Sequence, residues 1–128
     1  MTAGGAYSDR VRRLFADPPH AGVLPPGPGR TLLAGAMALE RGAWLEVAAR
    51  VVEGVVADAR FRAWGCPHFI AACELAVAGL PGRALSEAGR VEAAALAREL
   101  AVPAGKLGRL LVIEDALRDL AATPAQSK

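Results

Sequence analysis

The hydrophobic pattern of this chain has two parts, an alternating part before Pro67 and a helical part after it. Residues 44–51 and 55–64 alternate large or apolar side chains with polar ones, and Glu53-Gly54 separates the two runs. A period of two with a short Gly-containing link is typical of an antiparallel hairpin with one solvated face. The face predicted to be buried holds Leu45, Val47, Ala49, Val51, Val55, Ala57, Ala59, Phe61 and Ala63.

The flanking segments predict the rest of the fold. Residues 31–39 could form a third strand at the sheet edge or a loop, and Ser8 can cap a short helix carrying Val11, Leu14 and Phe15. After the hairpin, helices are predicted over about 67–77, over 91–100 and from about 103 onward, with a turn and a short helical piece at 81–90. Leu110, Ile113, Leu117 and Leu120 line one face of the last helix.

Strands followed by helices predict an α+β fold, with about three antiparallel strands and the helices packed on one face of the sheet. The length of 128 residues fits one domain, 1–128, in which residues 17–30 hold five prolines and three glycines and form an irregular loop. The arginines of "RVRR", residues 10–13, are expected on the solvated face of the first helix.

The composition excludes several classes of function. Net charge is +2 without a block of like charges, and aromatic residues are 5% of the chain, so no nucleic-acid groove is indicated. Neither a signal-peptide run nor a stretch of about 20 apolar residues is present, which predicts a cytoplasmic protein without membrane contact.

Two cysteines carry the candidate chemistry. Cys66 lies where the second hairpin strand passes into a helix, and Cys73 lies in the apolar run "FIAACELA" of that helix. Seven helical residues separate them by about 10 Å, too far for a disulfide, so both are expected to be reduced. A thiol at a helix N-terminus has a lowered pKa, whereas Cys73 is expected to be a core residue.

Several segments together resemble the iron–sulfur cluster scaffold proteins of the IscU type, the module that forms the N-terminal domain of NifU. They are "YSDRVRRLFADPPHAG", "GVVADARFRAWGC", "LPGRALSEA" and "VPAGKLGRLLVIEDAL", which occur in the family's order and spacing. The resemblance covers nearly the whole chain and implies the IscU/NifU-N-like (SufE/NifU) fold. The family holds an iron–sulfur cluster, or zinc, with three cysteines, a histidine beside the third and an aspartate after the first.

Most of these ligand positions hold other residues here. The resemblance places the second cysteine at Cys66, the third at Arg109 and the neighbouring histidine at Gly108. The first cysteine falls on Leu39 or Glu40, depending on the register, and the aspartate on Arg41 or Gly42. The motif that a chaperone recognises in the family is also altered, because only Pro103 and Lys106 remain within Val102, Pro103, Ala104, Gly105 and Lys106.

The other candidate residues have simpler interpretations. His68 could act as a weak second metal ligand, but a surface position in the first helical turn is favoured, and His20 is expected to be an ordinary loop residue. Glu40 could replace a missing carboxylate ligand, although surface glutamates are usually only solvated. Trp44 and Trp64 fall on the solvated face, either as a stabilising pair or as a patch for a partner.

The resemblance implies a divergent member of the scaffold family that acts as an accessory in iron–sulfur cluster biogenesis or carries sulfur on Cys66, and is not an enzyme. No group is expected to bind stably to the monomer, although the family implies a cluster or zinc. The implied partners are a cysteine desulfurase, other assembly proteins and an Hsp70-type chaperone. Two alternatives remain, a non-catalytic binding module that competes for such partners, and an iron binder that works as a homodimer or with a partner's ligands.

Overall fold

The computed structural model describes residues 7–123 of the chain. A short N-terminal helix precedes three strands, and three further helices follow them. The elements are α1 Asp9–Ala16, β1 Arg30–Ala38, β2 Ala43–Val52, β3 Val55–Trp64, α2 Pro67–Ala78, α3 Ala93–Leu100 and α4 Leu107–Ala121. Three short 3₁₀ helices lie at Leu39–Arg41, Leu85–Arg90 and Ala104–Lys106.

The strands form one antiparallel sheet in the order β1-β2-β3, which confirms the predicted α+β architecture. Alternate residues of β2 are fully or nearly fully buried, because α4 packs on β1 and β2 while α2 packs on β3. The other sheet face carries half-exposed and exposed side chains. The segment 31–39, for which the sequence left strand or loop open, lies almost entirely in the edge strand β1, which pairs with β2 along its whole length.

The hairpin was predicted at the right place, but one prediction about its faces is wrong. The pairing register shifts beside Arg50 and Val51, so that Val51 lies opposite Val56 while Arg50 lies opposite Asp58, and Ala57 is the extra residue of a bulge. Beyond the bulge the alternation changes face: Val56 is buried, whereas Val55 and Ala57 are exposed. A strict period of two cannot indicate such a shift.

The turn between β2 and β3 consists of Glu53 and Gly54. Both have positive φ, 52° and 79°, as in the two-residue turn that matches the twist of a hairpin. Glycine adopts this conformation without strain, but glutamate does so at a cost. In this turn the fold therefore imposes on Glu53 a backbone conformation that glutamate disfavours.

The helices follow the predicted apolar stripes. The Val11 N–H donates to Ser8 Oγ at 3.1 Å, which confirms the predicted cap of α1, and Arg10, Arg12 and Arg13 are exposed as expected. All four predicted core positions of α4, at 110, 113, 117 and 120, are buried. No helix in the described range 7–123 has the length and apolarity that crossing a membrane requires.

The proline-rich loop is anchored to α2 by a pair of side chains that the sequence interpretation missed. Buried Glu74 accepts the His20 backbone N–H at 2.8 Å through Oε1 and pairs with His20 Nδ1 at 2.6 Å through Oε2. His20 is therefore not an ordinary loop residue, because it satisfies a carboxylate inside the core. The sequence signal was present, since Glu74 is the only charged residue in α2.

Candidate functional site

Three turns that are far apart in the sequence meet at one end of the sheet. They are the turn after β1 at residues 39–42, the Gly65-Cys66 turn after β3 and the first turn of α4. A Cβ at Gly65 would lie 3.2 Å from the Gly42 carbonyl oxygen and 2.6 Å from the buried Phe69 ring, so the first two turns touch. The positions that the family resemblance singled out are thus brought together in space.

Cys66 is held at the N-cap of α2. Its backbone is extended, with φ −73° and ψ 166°, and its carbonyl accepts the first helical hydrogen bond from Ile70 at 3.0 Å. The Arg109 Nη1 atom donates to Cys66 Sγ at 3.2 Å. Since α4 supplies this guanidinium, packing of the last helix determines the environment of the thiol.

The pKa of the Cys66 thiol is lowered by this environment. Partial burial acts to raise the pKa, but the Phe69 backbone N–H, the Arg109 hydrogen bond and the charges of Lys106 and Arg109 outweigh burial. The thiolate is the nucleophilic form of cysteine, and this environment favours that form of Cys66. The predicted lowering is confirmed, and so is the predicted proximity of Arg109.

Cys73 shows the opposite behaviour on the same helix. The residue is fully buried among apolar side chains, and both cysteines are free thiols. Burial first, and the neighbouring Glu74 charge second, raise the pKa of Cys73 well above its ordinary value. Its interpretation as a small core residue is confirmed.

His68 does not lie on the surface, so that prediction is wrong. The residue is 1% exposed, its Nδ1 atom lies 3.0 Å from Lys106 Nζ, and its ring centroid lies 4.7 Å from that of Tyr7. An ammonium group can only donate, so Nδ1 is the acceptor of a neutral imidazole. Burial, and then the charges of Lys106 and Arg109, lower the pKa of His68. Lys106 also lies over the Tyr7 ring, 5.0 Å from its centroid.

The replaced ligand positions hold arginine, glycine, and either leucine or glutamate. Leu39 is 63% exposed, and Glu40 beside it is also exposed. Arg41 packs its guanidinium against Gly108, so closely that a Cβ at Gly108 would lie 2.6 Å from Arg41 Nη1. In the register that places the aspartate at Arg41, this position is adjacent to the histidine position Gly108, and neither side chain can donate an electron pair to a metal.

This donor set does not fit an iron–sulfur cluster or a zinc ion bound within one chain. Among residues 7–123, no group of three His, Cys, Asp or Glu side chains lies close enough together to hold a metal ion. Structural zinc takes four such ligands and clusters take several thiolates. Cys66 has the Arg109 guanidinium as its neighbour where the resemblance implies a cysteine ligand, and Lys106 engages Nδ1 of His68.

The segment that resembles the chaperone motif connects α3 to α4. Val102 is half-buried and its N–H donates to the Ala97 carbonyl at 2.9 Å, whereas residues 103–105 are exposed. Lys106 turns inward to Tyr7 and His68. Of the two matching residues, only Pro103 is therefore exposed for recognition.

Trp44 and Trp64 lie opposite each other in the register of β2 and β3, which confirms that they are cross-strand neighbours. Met37 lies opposite Trp44 on its other side, so the three residues form a row across the sheet face away from the helices. Trp64 is 50% exposed and Met37 56%. The row ends beside the Gly65-Cys66 turn.

Comparison with known proteins places this geometry in a family. Residues 6–123 match the family model of the NifU-like N terminal domain. The chain belongs to this family. It is 35% identical over 117 residues to the iron–sulfur cluster assembly scaffold protein IscU of Azotobacter vinelandii, covering 88% of this chain and 89% of that protein. The IscU protein of Haemophilus influenzae is 30% identical over 116 residues, covering 88% and 90%.

Two solved structures share the fold. The N-terminal part of a NifU-like protein from Brucella abortus has a TM-score of 0.56 at 19% identity, covering 89% of this chain and 78% of that one. A candidate iron–sulfur cluster assembly scaffold of the SUF system from Fervidobacterium islandicum has a TM-score of 0.59 at 14% identity, covering 91% and 85%. The NifU-like domain fold is thus retained here around an altered site.

Proposed function

We propose that this NifU-like domain serves iron–sulfur cluster assembly as an accessory protein that accepts sulfur on Cys66, and that it does not build a cluster by itself. The observation that carries the proposal is the state of Cys66. It has a lowered pKa and a guanidinium donor, while the positions that resemble the other ligands hold leucine or glutamate, arginine or glycine. A reactive thiolate without co-ligands suits sulfur transfer better than metal binding.

The donor in this proposal is a protein persulfide on a cysteine desulfurase. The Cys66 thiolate attacks the terminal sulfur, the sulfur–sulfur bond of the donor breaks, and the donor cysteine leaves as a thiolate. Cys66 then carries the persulfide, and no net oxidation occurs. Arg109 stabilises the anion on either sulfur, because it is always charged and lies 3.2 Å from Sγ.

The proposal also covers the location of the protein, its chemistry and its partners. We infer a cytoplasmic protein that catalyses no reaction, holds no stable metal as a monomer, and meets a desulfurase or other assembly proteins. Exposed residues 103–105 support a chaperone contact only weakly, because Lys106 is turned inward. The IscU relatives are named as iron–sulfur cluster assembly scaffold proteins, and this supports a role for the protein in that assembly process.

The test is to incubate the protein with a cysteine desulfurase and cysteine, and then with a thiol-reactive mass tag. A gain of about 32 Da, one sulfur atom, is expected on the peptide that contains Cys66. The Cys66→Ser variant should show no gain, whereas Cys73→Ser should behave as the wild type. Absence of the gain on the wild type would contradict the proposal.

The two alternative functions, a binding module and a dimeric iron binder, predict different results with the same protein samples. A binding module would leave Cys66 unmodified and would bind the desulfurase equally well as Cys66→Ser. A dimeric iron binder would develop cluster absorption after anaerobic addition of iron and sulfide, together with a dimer on size-exclusion chromatography. We expect neither result.

A further inference from the structure

The site end of the molecule carries a basic cluster, which we define as Arg41, Lys106 and Arg109. Arg41 comes from the turn after β1, Lys106 is the N-cap residue of α4, and Arg109 lies in the first turn of that helix. Arg41 lies against Gly108, Arg109 contacts Cys66, and the charges of Lys106 and Arg109 both act on Cys66. Two cations thus act on the thiol, and the third, Arg41, lies against the first turn of α4 next to Arg109 in sequence.

No carboxylate compensates these charges. In the range 7–123, none of the three cluster residues has an Asp or Glu oxygen within 4.0 Å, whereas Arg10, Arg50, Arg60, Arg62 and Arg118 each have at least one. Cations that converge without a counter-charge raise the local potential and favour an anionic ligand. Two of the three are guanidinium groups, whose paired N–H donors match the geometry of an oxyanion.

The exposure of the cluster allows a small ion to reach it. Arg41 is exposed, and Cys66, Lys106 and Arg109 are each partly exposed. An oxyanion held by the two guanidinium groups would be beside the sulfur of Cys66, since Arg109 contacts the thiol and Arg41 packs on the adjacent Gly108. Among common dianions, one that carries a transferable terminal sulfur would put that sulfur within reach of the thiolate.

We propose that the basic cluster binds a dianionic sulfur oxyanion of the thiosulfate class, and that Cys66 takes its terminal sulfur. This inference rests on the proposed role of Cys66 as a sulfur acceptor, but it needs no donor protein. Thiosulfate supplies both parts of the required chemistry, an oxyanion head for the cations and a sulfane sulfur for the thiol.

The reaction balances without an oxidant or a reductant. The Cys66 thiolate attacks the terminal sulfur of thiosulfate, a new sulfur–sulfur bond forms at Cys66, and the bond inside thiosulfate breaks. Sulfite leaves with the electron pair of that bond. Charge is conserved, because a thiolate monoanion and the thiosulfate dianion give a persulfide monoanion and the sulfite dianion. The basic cluster stabilises the charge that moves onto the sulfite oxygens.

Arg41 is the residue that separates this inference from the proposed function. It is part of the basic cluster, but no contact with Cys66 is described, and its charge does not contribute to the lowered pKa of the thiol. Arg41→Gln should therefore weaken capture of a free dianion while leaving the thiolate reactive. Arg118→Gln is the matched control, because Arg118 lies nine residues after Arg109, about 13 Å along α4 at 1.5 Å per residue.

The experiment mixes reduced protein with inorganic thiosulfate under anaerobic conditions, and follows both sulfite release and a gain of about 32 Da on Cys66. We expect wild type and Arg118→Gln to load at the same rate. Arg41→Gln should load about tenfold more slowly, the loss that one charge-assisted hydrogen bond to an anion implies. Sulfate, a dianion without transferable sulfur, should slow loading more than chloride does at equal ionic strength.

The outcomes distinguish the two proposals. Equal loading of Arg41→Gln and Arg118→Gln, or loading by a desulfurase but not by thiosulfate, would overturn this inference and leave the proposed function intact. Loading by thiosulfate but not by a desulfurase would overturn the protein donor and support the inference. If neither donor modifies Cys66, both proposals are wrong.

Discussion

Arg109 on α4 donates a hydrogen bond to the sulfur of Cys66, 43 residues earlier in the chain, at 3.2 Å. The resemblance places a third cysteine ligand at position 109. A guanidinium there turns a position expected to bind a metal into one that stabilises a thiolate. The fold is thus retained, but the residue beside Cys66 is a cation where the resemblance implies an anionic thiolate ligand.

Removing this guanidinium should make Cys66 less reactive. Arg109→Gln loses a hydrogen bond and a positive charge that both lower the pKa of Cys66, so the pKa rises and the thiolate fraction at neutral pH falls. We expect several-fold slower alkylation by iodoacetamide, measured by mass spectrometry across pH. Unchanged kinetics would show that Arg109 does not activate the thiol.

Two controls accompany that measurement. Arg118→Gln, on an exposed part of the same helix, should react as the wild type does. Cys73 should remain unlabelled in the folded protein and become labelled in denaturant, since it is fully buried.

His68 should make stability depend on pH in a defined direction. Its folded pKa is lowered, by burial and then by Lys106 and Arg109, so below the unfolded value of about 6.5 the unfolded chain binds more protons. The stabilisation is complete above that value and decreases as the pH falls towards the folded pKa. We expect the free energy of unfolding, from urea titrations at pH 7.5 and 5.5, to fall less for His68→Gln than for the wild type. Equal decreases in both proteins would contradict the assignment of this pH dependence to His68.

The His20–Glu74 pair should contribute measurably to stability. Glu74→Ala leaves the His20 N–H without its acceptor and should cost about 2 kcal/mol in urea unfolding, with faster proteolysis within residues 17–29. Glu74→Gln is the matched comparison, because its amide can accept the N–H and donate to Nδ1 of a neutral imidazole. It should cost less than about 1 kcal/mol. Similar losses in both variants would point to side-chain volume, not to the hydrogen bonds.

The hairpin turn offers a gain in stability. Glu53 has a φ of 52°, a conformation that asparagine adopts more readily than glutamate does. Glu53→Asn should therefore raise the free energy of unfolding by about 0.5 kcal/mol. Glu53→Ala removes the same charge without this preference and should give no gain.

Local patterns predict most of the fold because they record burial directly. The hairpin, its two-residue link and the four core positions of α4 follow from periods of two and of 3.6 residues. Patterns fail where a tertiary contact decides the outcome. The bulge at Ala57 reverses the faces of Val55 and Val56, and no single strand can reveal a shift in its pairing with another.

The candidate site is predictable only in part, for a related reason. The helix N-terminus at Cys66 follows from the sequence, and the resemblance placed Arg109 beside it. The burial of His68 depends on Tyr7 and Lys106, which lie in two other segments. His20 and Glu74 are 54 residues apart, and only the unusual charge inside an apolar helix hinted at their contact.

The close approach of Gly65 to Phe69 determines the stage of folding at which the Cys66 thiol reaches its final position. The Phe69 ring is fully buried, and a Cβ at Gly65 would lie 2.6 Å from it and 3.2 Å from the Gly42 carbonyl oxygen. Packing of the interior therefore sets the place of the neighbouring sulfur. A newly synthesised chain would have its thiol in position as soon as the interior closes, so the ordering of this turn is coupled to the folding of the core.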